Sequence, residues 1–295
     1  MQNKAKNKTK LYYAVNAIVM ALAVYCLCSK YVAGMIEGVK ESRNACFVIP
    51  GIMLLIAVIY AMKAFRLYVI FMDRGIGWSR FLEVYIKTMA ASLAFPLKLG
   101  ELFRMYCFGM ETGSFRLGIL GILIERYFDT IPLLILLVVF TVISGNTIIP
   151  LVILLTGFLI LISAVYLIFP SVYSYMNRYF MINGRTGKSV KALKLLKGTK
   201  EWYEMIKALI KDRTGLLLII SSLTWLSECL VLMILVRGMG DTFKTEIFLS
   251  YISSVFSGQL NGYVNLYVGM SAVLLLIVFV VVYVIKYLRK GFSVK

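Results

Sequence analysis

Six apolar runs recur along the chain, at 11–29, 46–65, 117–143, 147–169, 214–236 and 264–285. Each is close to the ~20 residues that an α-helix needs to cross a bilayer. Lipid offers no partner for an unpaired backbone N–H or C=O, so runs of this length close their hydrogen bonds internally as helices. The expected fold is all-α: a polytopic membrane helix bundle forming one integral membrane domain over 1–295. A hydrophobic fraction of 61% and a mean hydropathy of +0.86 exclude an ordinary soluble domain. The first run is longer than a signal-peptide core and no A-x-A site follows, so it reads as a retained anchor.

Two further apolar stretches, 81–95 and 247–260, reach only about 21–22 Å at 1.5 Å per residue, short of a ~30 Å hydrocarbon core. The first ends at Pro96 and Gly100, the second at Gly258 and Gly262. Charge decides what they do. The 1–10 tail carries Lys4, Lys6, Lys8 and Lys10 and is expected in the cytoplasm. Two spans later Lys63, Arg66, Arg74 and Arg80 return to that side. The segment 170–213, with ten Lys and Arg from Arg178 to Arg213, belongs there too. This holds only if 81–95 enters and leaves on the same face. The same argument keeps Lys286, Arg289, Lys290 and Lys295 inside when 247–262 is re-entrant. The expectation is six full spans plus two re-entrant helical hairpins, 81–110 and 247–262, dipping in from opposite faces. Opposed broken helices of this kind recur in transporters. The protein is thus expected to be a multi-pass plasma-membrane protein with both termini cytoplasmic. Its net charge of +18 suits loops lying against anionic membrane lipids, and nucleic acid is not an expected partner.

The greasy chain carries an unusual cluster of charge over 96–129. Glu101, Arg104, Glu125, Arg126 and Asp129 fall within or against apolar runs. Each charge at the bilayer centre costs roughly 2.5–3.5 kcal/mol even on lenient scales, which points to a polar site facing the protein interior. Glu101 suits the positive end of a helix dipole, and Gly100 would let the chain reverse. Arg104 lies three residues from Glu101, and Arg126 three from Asp129, both within pairing reach. Pro132 leaves the Phe128 carbonyl without its helical donor and predicts a kink there. Such a network either holds helices together or also touches a ligand. Arginine's planar fork suits phosphate. The excess of acids over arginines argues against a simple anion trap. Glu228 is a lone mid-span acid that either pairs with Arg126 or meets substrate.

The run P-L-K-L-G-E-L-F-R from Pro96 to Arg104, followed by E-R-Y-F-D from Glu125 to Asp129 with Arg66 upstream, resembles the flippase-like membrane domain of lysylphosphatidylglycerol synthases. The likeness is best over about 60–140. It implies movement of a lipid, or a lipid-linked saccharide, between leaflets. It also implies a lipid path lined by Pro96, Gly100, Glu101, Arg104, Glu125, Arg126 and Asp129, and Lys98 and Glu228 complete the expected substrate-binding set. Family members carry a second turn, Pro-Gly-Gly-x-Gly-x-x-Glu. The corresponding stretch here is FSGQLNGYVN, in which Gly258 and Gly262 flank Gln259 and Asn261 and neither proline nor acid occurs. The soluble transferase domain of the synthases is absent from these 295 residues.

Three functions follow as expectations. The first is a lipid translocase without ATP hydrolysis. The second is a scaffold or accessory subunit for an envelope glycosyltransferase or lipid-modifying enzyme. The third, ranked last, is a transferase using Glu101 or Asp129 as base. No cofactor is expected. The chain has no histidine, which removes His-based catalysis and His metal sites. Cys26, Cys28, Cys46, Cys107 and Cys229 show no ligand spacing. The Gly184–Ser189 run imitates a phosphate loop, but Ile182 stands where the first glycine belongs. Residues 188–211 alternate lysines with apolar residues at helical spacing and read as amphipathic helices in the inner interface. Ser221 and Ser222 read as contacts between helices.

Overall fold

The computed structural model describes residues 2–32, 45–95, 99–144, 149–183, 187–257 and 262–292. Among these, every regular element is helical. The α-helices are α1 (Gln2–Cys26, continued by a π-turn at Leu27–Val32), α2 (Ala45–Phe71), α3 (Trp78–Ala94), α4 (Leu99–Glu111), α5 (Phe115–Ser144), α6 (Ile149–Asn183), α7 (Gly187–Ile210), α8 (Thr214–Gly238), α9 (Thr245–Ser257) and α10 (Gly262–Phe292). Five stretches are long and apolar enough to cross a membrane: Ile49–Arg74, Phe115–Ile143, Pro150–Ile182, Thr214–Gly238 and Gly262–Val284. These lie on five of the six expected spans. The first expected span appears as a shorter apolar stretch, Ala14–Ser29, about 24 Å at 1.5 Å per residue.

The short stretches behave differently from the long ones. Helices α3 and α4 are too short to cross, and they form an antiparallel hairpin. Arg80 at the start of α3 pairs with Glu111 at the end of α4 at 2.8 Å. At the opposite end the Ser92 hydroxyl donates to Glu101 at 2.9 Å. Gly100 does not turn the chain. It lies inside α4 and has no positive φ. Its role is close approach: a Cβ there would lie 2.2 Å from the Ser92 Cα, so any side chain pushes the two backbones apart. Gly118 does the same between α4 and α5, where a Cβ would lie 2.3 Å from the Met105 carbonyl oxygen. Helix α9 is likewise too short to cross, and it packs on α5 and α10.

Helix α5 carries the charged turn and runs on through Pro132. It packs against α4, α8 and α2, which places three neighbours around one polar stretch. Helix α6 is longer than expected. It continues through Pro170 to Asn183, so the first part of the 170–213 segment extends a span. The remainder forms one helix, α7, not several. Trp202, Met205, Ile206 and Leu209 of α7 turn one face to the core, while Lys191, Lys194, Lys197 and Lys200 stay exposed. That amphipathic division is what a helix lying along a bundle needs. Arg213 closes the turn after α7 by donating to the Val69 carbonyl at 2.8 Å and pairing with Asp73. The turns at 72–77, 112–114 and 211–213 therefore share one face with α7, here called the basic face.

Candidate functional site: a ring of six alternating charges

Three arginines and three acids meet inside the bundle in a closed ring. Arg66 of α2 reaches Asp129 at 2.5 Å and Glu125 at 3.2 Å, both on α5. The other oxygen of Glu125 accepts from Arg104 of α4 at 2.9 Å. Arg104 also holds Glu101, one turn away, at 3.1 Å. Glu101 accepts from Arg126 of α5 at 2.6 Å, and Arg126 returns to Asp129 at 3.4 Å. Each acid thus faces two guanidinium groups and each arginine bridges two acids. The planar fork makes this possible, since the two terminal nitrogens can serve different carboxylates. The excess of acids over arginines expected from 96–129 disappears once Arg66 is counted, because the ring is neutral.

Polar side chains from neighbouring helices complete the shell. Ser221 of α8 accepts from Arg66 at 3.0 Å. The Trp225 indole N–H, also on α8, donates to the Asp129 carboxylate at 3.0 Å. Ser92 of α3 donates to Glu101. The ring therefore ties together α2, α3, α4, α5 and α8. Glu125 lies ten residues into α5, roughly 15 Å from the basic face at 1.5 Å per residue, about half the depth of a hydrocarbon core. Toward the basic face an aromatic layer closes it off. Phe71 of α2 stacks on Phe108 of α4 with centroids 5.2 Å apart, and Phe81 of α3 lies 5.5 Å from Phe108.

The ring has a closed side and an open side. Arg66, Arg104 and Glu125 expose 2% or less of their side chains. Arg126 exposes 37%, and its partners Glu101 and Asp129 are also partly open.

Of the residues expected to line a site, Glu101, Arg104, Glu125, Arg126 and Asp129 come together here, and Gly100 packs the hairpin that carries two of them. Pro96, Lys98, Gly258, Gln259 and Asn261 lie outside the described residues. Gly262 opens α10 in the left-handed region, φ 51°. Glu228 is elsewhere: it pairs with Lys63 of α2 and accepts from the Tyr251 hydroxyl at 2.8 Å, and it does not reach Arg126. Lys63 and Arg66, expected among the charges of the inner face, are members of these buried networks. Helix α2 continues to Phe71, so both lie within it, three residues apart on one side. Ser221 does bridge helices, and it does so by accepting from an arginine. Ser92, Trp225 and Tyr251 carried no signal in the sequence, because a single polar or aromatic residue in an apolar run is ordinary.

The lysylphosphatidylglycerol synthase TM region family matches residues 13–260 of the 295. The chain belongs to that family. Membership makes it a membrane domain of lipid metabolism or transport, and with the five apolar spans it is a multi-pass membrane protein. No curated protein and no solved structure matches the chain. The match covers both the hairpin and α5, so the whole ring lies within the family region.

Proposed function

We propose that this member of the lysylphosphatidylglycerol synthase TM region family passes the polar headgroup of a lipid, or of a lipid-linked saccharide, between leaflets while the tails stay in the bilayer. The observation that carries this reading is the asymmetry of a neutral ring. Its buried half ties together α2, α4, α5 and α8, whereas Arg126, 37% exposed, is held by Glu101 and Asp129. A headgroup phosphate that takes the place of either acid at Arg126 brings its own negative charge to that guanidinium, and the displaced acid keeps its other arginine, Arg104 for Glu101 or Arg66 for Asp129, so the buried half stays paired. The α3–α4 hairpin, entering from the basic face and returning to it, brings Glu101 to that depth. The lysines of α7 gather anionic lipid on the cytoplasmic side of the plasma membrane.

Reconstitution into liposomes tests this directly. A lipid with a fluorescent headgroup is exposed to an impermeant quencher, and the protein is expected to raise the rate at which the inner pool becomes accessible. Glu101→Ala and Arg126→Ala should each cut that rate at least about tenfold, equivalent to about 1.4 kcal/mol of lost interaction. Variants that flip lipid as fast as the unaltered protein remove the ring from the path.

A scaffold role rests on a separate observation. Only 6% of the apolar stretch of α6 is buried, so a long helix face is open to another membrane protein. Co-purification with an envelope glycosyltransferase or lipid-modifying enzyme, in the absence of translocation, would favour it.

A further inference from the structure

At the basic face a cleft of about 520 Å³ opens between α7 and the turn that follows α2. Arg74 stands on the turn, and Lys197, Lys200, Glu201 and Glu204 line the α7 wall at helical spacing, with Met205 on the apolar side. The charges in this cleft do not cancel. Glu201 is already taken by Arg116 of α5 at 3.0 Å. Among the described residues Arg74 and Lys197 have no ion pair, and Lys200 lies over the Tyr173 ring of α6, 5.0 Å from its centroid. Three cations therefore stand against Glu204. Arg74 is half-buried and the two lysines are exposed. The helices beside the cleft set its height in the membrane. Arg74 is the last residue of the span Ile49–Arg74, and Arg116 is the second of the span Phe115–Ile143. Two neighbouring spans end here, at the edge of the ~30 Å hydrocarbon core, where lipid phosphates lie. An indole suits this level, and Trp202 of α7 lies under the Arg116 guanidinium, 5.9 Å from it.

We propose that this cleft binds the phosphodiester of an anionic phospholipid from the leaflet at the basic face. The planar fork of Arg74 matches two oxygens of one phosphate, while Lys197 and Lys200 add point charges around it. A zwitterionic headgroup brings its own ammonium, which three cations repel, so the cleft selects a headgroup of net negative charge. Glu204 sets the opposite limit, because it opposes a polyanion. Inorganic phosphate offers the same oxygens, but the leaflet presents them at this height and at far higher local concentration. Met205 gives the glycerol and the start of the acyl chains an apolar wall. Lys191 and Lys194 are exposed on the same helix and lie outside the cleft lining. They attract anionic lipid diffusely, as any basic surface does. The site stands on the cleft and its uncancelled charge. Only its use as a loading point rests on the function proposed above: Arg126 lies ten residues beyond Arg116 on α5, about 15 Å deeper.

Quenching of Trp202 on the full chain in phosphatidylcholine nanodiscs tests it. Phosphatidylglycerol or phosphatidylcholine carrying a nitroxide at carbon 5 of one chain, close to the headgroup, is titrated in. The part of the quenching that is lost in Trp202→Phe belongs to Trp202. Labelled phosphatidylglycerol should quench this part at about fivefold lower content than labelled phosphatidylcholine, the preference that about 1 kcal/mol of extra attraction gives. Arg74→Gln combined with Lys197→Gln should remove the preference, and so should Lys197→Gln combined with Lys200→Gln. Lys191→Gln combined with Lys194→Gln takes the same charge from the same helix outside the cleft, and should leave the preference in place. Inorganic phosphate at constant ionic strength should not compete. Equal quenching by the two lipids, or equal loss in all three double variants, overturns the site. Competition by inorganic phosphate overturns its assignment to lipid. A protein that keeps the preference and flips no lipid sinks the translocation reading and leaves the site standing. One that flips lipid without the preference does the reverse.

Discussion

Arg104 shows what a buried charge demands of its surroundings. It has none of its side chain exposed, yet it remains charged because Glu101 and Glu125 meet its two terminal nitrogens. Removing it leaves two acids short of a partner in an apolar bundle. Arg104→Ala should therefore cost about 3–5 kcal/mol of stability, read from denaturation in detergent micelles. Arg126→Ala removes a cation whose side chain is 37% exposed, and should cost less than Arg104→Ala. If the two losses are equal, or the order is reversed, the division of the ring into a closed and an open half is wrong. The two i, i+3 pairs of the ring were readable from spacing, because helical geometry alone puts Glu101 beside Arg104 and Arg126 beside Asp129. The pairs that close the ring, Arg66 with Asp129 and Arg104 with Glu125, span 63 and 21 residues and follow no local rule.

At the scale of elements, the short helices were marked by their length and the long ones by their hydropathy. The boundaries of α2 and α6 were not. Lys63 and Arg66 made α2 look shorter, because charges near the end of an apolar run ordinarily mark its exit from lipid. Inside the bundle their acids on α5 and α8 remove that penalty, and the helix runs on. Gly100 was expected to bend the chain, and it permits two helices to touch instead. Gly100→Ala places a methyl group against the Ser92 backbone and should lower stability by about 1–3 kcal/mol, with the loss read from the unfolding midpoint in detergent. The same substitution should weaken translocation, since the Ser92–Glu101 contact lies at that crossing. Full stability in the alanine variant would mean that the hairpin is not packed this closely.

For the whole molecule, one question is which way the basic face points. The excess of lysine and arginine in 170–213 predicts the cytoplasm. The turn before α8 and the turn after it lie at opposite ends of one span, at Asp212 and Gly240. In a background free of the native cysteines, Asp212→Cys should react with an impermeant thiol reagent only when the cytoplasmic side is open. Gly240→Cys should react in intact cells. The opposite pattern inverts the topology, and labelling of both from one side removes α8 as a span.

What the sequence by itself determined is the class of molecule and the place where it is unusual. Apolar runs of about twenty residues force helices in lipid, and charge among them marks a polar site, because both follow from local cost. What only the tertiary structure decided is how that charge is balanced. Arg66 turned an acidic cluster into a neutral ring, and Lys63 took Glu228 out of it into a site of its own. Partner choice between helices distant in sequence depends on which faces pack together, and hydropathy does not encode that. The same packing buried one half of the ring and left Arg126 the most exposed of its six members, and the proposed headgroup exchange turns on that difference.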